Sequence, residues 1–191
     1  KSKIRVSVSL TLTKKNIKDV FPLARYLKDL GVSAFAVRRL VPTGEGIRFR
    51  ESMVTSGELR DLYLKIMEVN KKERTGLFSL LTGCESAIFN EDLLSNGSPS
   101  GYPRLSMCGV SLGGGLNIMA NGDFVPCRRM PIKVGNALKD SFYDAYYSDT
   151  MMDLRNPGKA DPLCRKCSNF PFCLGGAKCI AYALTGRWNA P

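Results

Sequence analysis

Seven cysteines and no histidine constrain this chain more than any other feature of its sequence. The odd count argues against a fully paired disulfide framework, and nothing marks the chain as secreted. Without histidine there can be no Cys/His zinc finger and no Cys–His nucleophile pair, which leaves all-thiolate metal sites. Near the C-terminus Cys164, Cys167 and Cys173 are spaced C-x2-C-x5-C, and Leu174-Gly175-Gly176-Ala177-Lys178-Cys179 follows. A C-x2-C pair lets two thiolates reach one centre from a single turn, and Cys173 can fold back as a third ligand. Gly175 and Gly176 give the backbone freedom to pass close to inorganic sulfide. Earlier, Cys108 and Cys127 flank an Asn121-Gly122 pair lying between apolar segments, a hairpin signal that would bring the two thiols together. Two groups of thiolates imply one or two metal centres. Four-cysteine zinc sites use the same C-x2-C element, so that pair on its own favours zinc.

Composition supports a globular chain with a metal-stapled part. At 191 residues, with 44% hydrophobic and 24% charged residues, there is material for one core plus a small module. No apolar run approaches the roughly 20 residues a membrane helix requires, and the basic start lacks a signal-peptide pattern. We therefore expect a cytoplasmic protein. The net charge of +11 comes from scattered basic residues with no aromatic-interleaved stripe, which argues against a nucleic-acid partner. Thiolate-bound clusters, each adding net negative charge, would offset part of the excess. The chain opens directly on a strand pattern and stops at Trp188-Asn189-Ala190-Pro191, as a piece cut from a longer protein would.

Residues 5–13 alternate, with Val6, Val8, Leu10 and Leu12 on one face and Ser7, Ser9, Thr11 and Thr13 on the other. A helical pattern follows to Leu30; Asp19 as N-cap places Pro22 in the first turn, and Gly31 closes the helix. Residues 32–41 make a second strand, ended by Pro42, so a parallel βαβ unit is expected. The serine and threonine face of the first strand either lines a barrel interior or reflects strand propensity alone. Thr55-Ser56-Gly57-Glu58 matches a capping box, and Leu59, Leu62, Tyr63, Ile66 and Met67 give the buried stripe of the next helix. The run LFSLL before Cys84 could be another strand. The loop Asn96 to Gly101 marks a domain boundary, and residues 139–155 read as one helix with Phe142, Ala145, Tyr146 and Met152 inward.

The full spacing goes beyond a zinc pair. C-x13-G-x4-C at Cys108, Gly122 and Cys127, a gap of 36 residues, and then C-x2-C-x5-C closely resembles the SPASM pattern of radical S-adenosylmethionine (SAM) enzymes. Val134-Gly135-Asn136, Gly175-Gly176 and the stretch Ala181 to Gly186 agree with it. Residues 1–90 look like the last strands of a radical SAM partial barrel, and Arg39 to Gly46 is similar to the segment that contacts the cofactor's adenine. The chain looks most like the branch with haem-pathway, pyrroloquinoline-quinone-pathway and peptide-modifying members.

The resemblance implies an α/β fold in which the C-terminal part of a partial (β/α) barrel, residues 1–95, precedes a small cysteine-rich SPASM-like domain with a hairpin and a helix, residues 96–191. By the same resemblance Leu40, Val41 and Pro42 bind the cofactor. Cys164, Cys167 and Cys173 bind one auxiliary 4Fe–4S cluster, whose fourth ligand lies beyond the chain's end. Cys108 and Cys127 bind the other, with Cys179 as substitute ligand and Cys84 either a fourth ligand or a buried thiol. The implied function is that of a radical SAM/SPASM oxidoreductase. In the parent enzyme SAM is cleaved to a 5′-deoxyadenosyl radical that abstracts a substrate hydrogen, while auxiliary iron–sulfur clusters transfer electrons or bind substrate. Its partners would be a peptide, a tetrapyrrole or another small-molecule substrate, and an electron donor such as a ferredoxin or flavodoxin.

Two departures limit this reading. No C-x3-C-x2-C motif, the ligand set of the SAM-cleaving cluster, occurs in the chain. The family's next cysteine falls after a three-residue spacer from Cys173, and Ala177 stands there. The competing reading is a non-catalytic zinc- or cluster-binding module that shapes a protein-docking surface.

Overall fold

The computed structural model describes residues 4–73, 78–79 and 108–191. The chain divides into two compact units, residues 1–40 with 45–82 and residues 41–44 with 83–191. The expected boundary loop at 96–101 and Cys84 lie outside the described residues.

In the first unit, β1 (Ser7–Leu12), α1 (Val20–Asp29) and β2 (Ala34–Arg39) form a βαβ unit. The strands pair in parallel from Ser7 opposite Ala34 to Leu12 opposite Arg39, and α1 supplies the crossover that parallel strands require. A short β3 (Phe78–Ser79) adds in parallel on the far side of β2, giving the order β1-β2-β3. The central strand buries Phe35, Ala36 and Val37 in succession, as a strand covered on both faces does. On β1 the alternation survives: Ser7, Ser9 and Thr11 are exposed, while Val8 and Leu10 are half-buried and Leu12 is buried. Asn16 closes the strand, its side-chain carbonyl accepting from the Thr13 N–H at 2.8 Å and its amide donating to the Thr11 carbonyl at 3.0 Å.

A 3-10 turn, Ile17–Asp19, leads into α1. Asp19 therefore already has a helical backbone at the N-cap and makes no side-chain cap bond, while Pro22 lies in the first turn as the sequence predicts. Gly31, at φ +74°, closes the helix. The capping box forms at the start of α2 (Ser56–Glu73): Thr55 N–H donates to the Glu58 carboxylate at 2.7 Å, and Glu58 N–H donates to Thr55 Oγ1 at 3.2 Å. Leu59, Leu62, Tyr63 and Ile66 of α2 are buried, as are Leu12, Val20, Ala24, Leu27 and Phe35.

The second unit carries a small antiparallel sheet, β4 (Asn117–Ile118), β5 (Asp123–Val125) and β6 (Gly135–Asn136), in the order β4-β5-β6. Between β4 and β5, Gly122 takes φ +83°, which only a residue without Cβ adopts at little cost. The segment expected to form one helix over 139–155 is instead two, α3 (Phe142–Tyr146) and α4 (Asp149–Arg155). Ser148 separates them with an extended backbone (ψ 151°), and its Oγ donates to the Ala145 carbonyl at 2.9 Å. The break changes the phase of the second half. Ala145 stays buried, but Met151 and Leu154 are buried in place of Met152, which is 48% exposed; Phe142 is 58% exposed. Three short helices follow, α5 (Pro162–Arg165), α6 (Phe170–Cys173) and α7 (Lys178–Thr185). Among the described residues no helix is long and apolar enough to cross a membrane.

Candidate metal centre

Local bonding sets each cysteine in place. The Cys108 carbonyl accepts from Ser111 N–H at 2.8 Å, folding residues 108–111 into a turn. Cys127 follows β5, and its carbonyl accepts from Met130 N–H at 2.8 Å within an isolated bridge. Asp161 caps α5 by accepting from Leu163 N–H at 2.9 Å, and Pro162 occupies the first turn, where its missing N–H costs nothing. Cys164 lies on that helix and Cys167 in the turn behind it, its N–H donating to the Cys164 carbonyl at 3.0 Å. The C-terminal tail ties to the same point: Asp161 N–H donates to the Asn189 carbonyl at 3.2 Å, and Asn189 Nδ2 donates to the Lys159 carbonyl at 3.1 Å.

Cys173 ends α6, and the chain then makes three successive left-handed residues: Leu174 at φ +47°, Gly175 at +85° and Gly176 at +74°. A leucine in this region costs about 1–2 kcal/mol, so the turn is imposed by what surrounds it. It leads directly into α7, where Cys179 is the second residue and only 8% exposed.

Electrostatics sorts the thiols into two groups. Burial, followed by the charges of Cys173, Asp161 and Cys167, raises the Cys164 thiol above the usual range, while Lys178 pulls it down. Cys179 is pushed up to about 11, first by burial and then by Cys108 and Cys127, against the Arg129 guanidinium and the backbone bond at Ile180. Cys164 thus senses Cys167 and Cys173, and Cys179 senses Cys108 and Cys127. The sequence reading gave Cys179 as a substitute ligand beside Cys108 and Cys127 and did not single out Arg129 or Lys178. A basic residue within two positions of a cysteine was the available signal.

None of the six described cysteines forms a disulfide. Among the described residues no three ligand-type side chains converge on a single ion. A zinc site needs thiolates about 2.3 Å from one point, whereas a polynuclear cluster spreads its thiolates, one to each iron. The donor set, sulfur only, fits iron–sulfur clusters. The Ser111 hydroxyl is buried without a hydrogen-bond partner, three residues from Cys108. The Cys108–Gly115 loop is braced by Tyr146, whose hydroxyl donates to the Gly113 carbonyl, and Arg155 stacks over the Tyr146 ring at 3.8 Å.

Leu40 and Val41, each 8% exposed, and buried Pro42 immediately follow β2 and precede a 3-10 run, Gly44–Ser52. They occupy the C-terminal end of a parallel strand, where α/β folds place ligand-contacting residues.

Residues 108–168 match the SPASM family, described as an iron–sulfur cluster-binding domain. Cys173 and Cys179 fall beyond the matched segment. Over 187 residues the chain is 23% identical to the AdoMet-dependent heme synthase of Methanosarcina barkeri, covering 95% of this chain and 53% of that protein. The AdoMet-dependent heme synthase of Oleidesulfovibrio alaskensis is 22% identical over 196 residues, covering 98% and 50%. The chain thus spans about half the length of these relatives. Its fold is similar to Streptococcus suis SuiB (TM-score 0.61, 19% identity, 92% of this chain and 42% of that one). It is also similar to anSMEcpe with bound AdoMet and the Cp18Cys peptide (TM-score 0.57, 15% identity, 93% and 49%). Residues 108–168 of this mixed α/β chain thus match an iron–sulfur cluster-binding domain, and its fold is similar to those of SuiB and anSMEcpe.

Proposed function

We propose that this chain is the auxiliary-cluster portion of a radical SAM/SPASM oxidoreductase, with barrel strands in residues 1–95 and a cluster domain in 96–191. Cys164, Cys167 and Cys173 hold one 4Fe–4S cluster; Cys108, Cys127 and Cys179 hold the second. The observation that supports this most directly is the match of residues 108–168, which include four of these cysteines, to an iron–sulfur cluster-binding domain. When bound, such clusters supply one-electron capacity beside the substrate. The chain's own residues fix the thiols on short capped turns, keep Cys179 dry and brace the Cys108 loop through Tyr146 and Arg155. In the parent enzyme Leu40, Val41 and Pro42 would flank the adenine of SAM, and the exposed hydroxyl face of β1 would look into the barrel. The substrate is a peptide or a small molecule such as a tetrapyrrole, in keeping with relatives named heme synthases and a structural neighbour with a bound peptide. A ferredoxin or flavodoxin would supply electrons in the cytoplasm, a compartment that keeps thiols reduced.

Anaerobic reconstitution of the full chain with iron and sulfide tests this reading. We expect brown absorption and acid-labile sulfide matching the iron. Stoichiometric zinc without iron uptake under those conditions would overturn it in favour of a zinc-shaped docking module.

A further inference from the structure

The hydroxyl of Ser111 is a buried donor with nothing to donate to. The residue as a whole is half-buried, yet its Oγ is out of water and has no hydrogen-bond partner. A buried polar group left unpaired costs free energy, so few persist without a reason. A serine in a helical turn ordinarily returns its hydroxyl to a carbonyl three or four residues back. Among the described residues that carbonyl belongs to Cys108, and two backbone donors already use it: Ser111 N–H at 2.8 Å and Leu112 N–H at 3.3 Å. The same two bonds wind residues 108–112 into one helical turn, which sets the side chains at 108 and 111 side by side. Their β-carbons are then about 5–6 Å apart, a gap that an Oγ and an Sγ turned toward each other close to bonding distance. The turn is held beyond that point as well. Gly113 N–H donates to the Val110 carbonyl at 3.2 Å, Gly114 N–H donates to the Gly109 carbonyl at 2.8 Å, and Val110 is buried.

A thiolate bound to iron is a stronger acceptor than a neutral thiol, because it carries negative charge. Reduction of a cluster adds to that charge, so a hydroxyl donor at a ligand sulfur favours the reduced state. We propose that Ser111 donates a hydrogen bond to the Cys108 sulfur when Cys108 ligates a cluster, a positioning residue that raises that cluster's reduction potential without binding iron. The inference rests on the proposed assignment of Cys108 as a ligand, and it gives the orphaned hydroxyl a partner. Three places after Cys164, Cys167 and Cys173 stand Cys167, Phe170 and Gly176, none with a hydroxyl, so the effect belongs to one centre only.

The test compares the wild-type chain with Ser111→Ala and Ser111→Thr, each reconstituted anaerobically with iron and sulfide and titrated with dithionite under EPR detection. We expect Ser111→Ala to keep its iron and to shift one midpoint potential downward, on the cluster that Cys108→Ser removes. Ser111→Thr, which keeps the hydroxyl, should restore most of the shift. Resonance Raman spectra supply a second readout: loss of the O–H···S bond should move an iron–thiolate stretching band of Ser111→Ala to higher frequency. If the threonine variant takes up no iron, the Raman comparison of wild type with Ser111→Ala decides. Iron-loaded Ser111→Ala with unchanged potentials and an unchanged band overturns the role of Ser111 while the cluster reading stands. A shift confined to the cluster that survives Cys108→Ser does the same. Failure of the wild type to take up iron overturns the cluster reading and this inference with it.

Discussion

Cys179 is the thiol whose setting depends most on local backbone. Ala177, where the resemblance implied a ligand, serves as the N-cap of α7. The thiol comes two residues later, inside the first turn of α7, and is buried. We expect Cys179→Ser and Cys108→Ser to remove the same cluster, each costing about half of the bound iron, and the pair together to cost no more than either. Cys167→Ser should remove the other half and, because exposed Cys167 and 71%-exposed Leu163 belong to no core, should also melt residues 160–174. Iron analysis with hydrogen exchange reads all of these, and equal iron in Cys179→Ser and wild type would show that Cys179 is no ligand. The grouping of Cys164, Cys167 and Cys173 could be read from spacing, because they are close in sequence. The assignment of Cys179 beside Cys108 and Cys127 came only from the resemblance, because its place follows a left-handed run at 174–176, where a leucine adopts a conformation its own propensity opposes.

Among the elements, the small sheet of the second unit depends on one carboxylate. Asp123 accepts from Lys133 Nζ at 2.6 Å and from Asn136 Nδ2 at 2.9 Å, and these bonds, with one from Asn121, hold its pKa below the ordinary aspartate value. A lowered folded pKa means that ionised Asp123 stabilises the fold. That contribution is complete above the unfolded aspartate value of about pH 4. It is lost as pH falls further, through the folded value. Comparison of wild type with Asp123→Asn in urea should show a stability difference at pH 6 that shrinks below about pH 4; a constant difference would assign the effect to shape. Local chemistry made other elements legible. The period of β1, the reciprocal bonds of Thr55 and Glu58 and the glycine at 31 each act within a few residues. The 139–155 helix misled because its apolar period runs across the break. The overlooked cue was Ser148-Asp149, a second helix-start pair seven residues after Ser141.

For the whole molecule, the two units differ in what holds them. The first buries side chains from both helices and the sheet, Phe35, Leu59, Tyr63 and Ile66 among them, and contains no described cysteine. The second ends in helices of four, four and eight residues, too short to be stable without packing or metal. Chelation of a reconstituted sample should therefore strip amide protection from residues 162–185 and leave α1 and the first two turns of α2 protected. Hydrogen exchange measures both, and uniform loss would show that the metal supports the entire chain. At this scale the α/β class was legible from a strand–helix–strand period, while the expected boundary loop at 96–101 lies outside the described residues.

The sheet of the first unit has one further consequence. Among the described residues strand β1 has a strand neighbour on one side only, and just ahead of it Ile4 is 82% and Val6 49% exposed. Its free edge is a row of hydrogen-bonding groups beside apolar side chains, which templates pairing between chains. Handled alone and concentrated, the polypeptide should self-associate through that edge. Conditions for iron loading therefore need dilute protein, or a charge placed at position 6, before colour or potential is read.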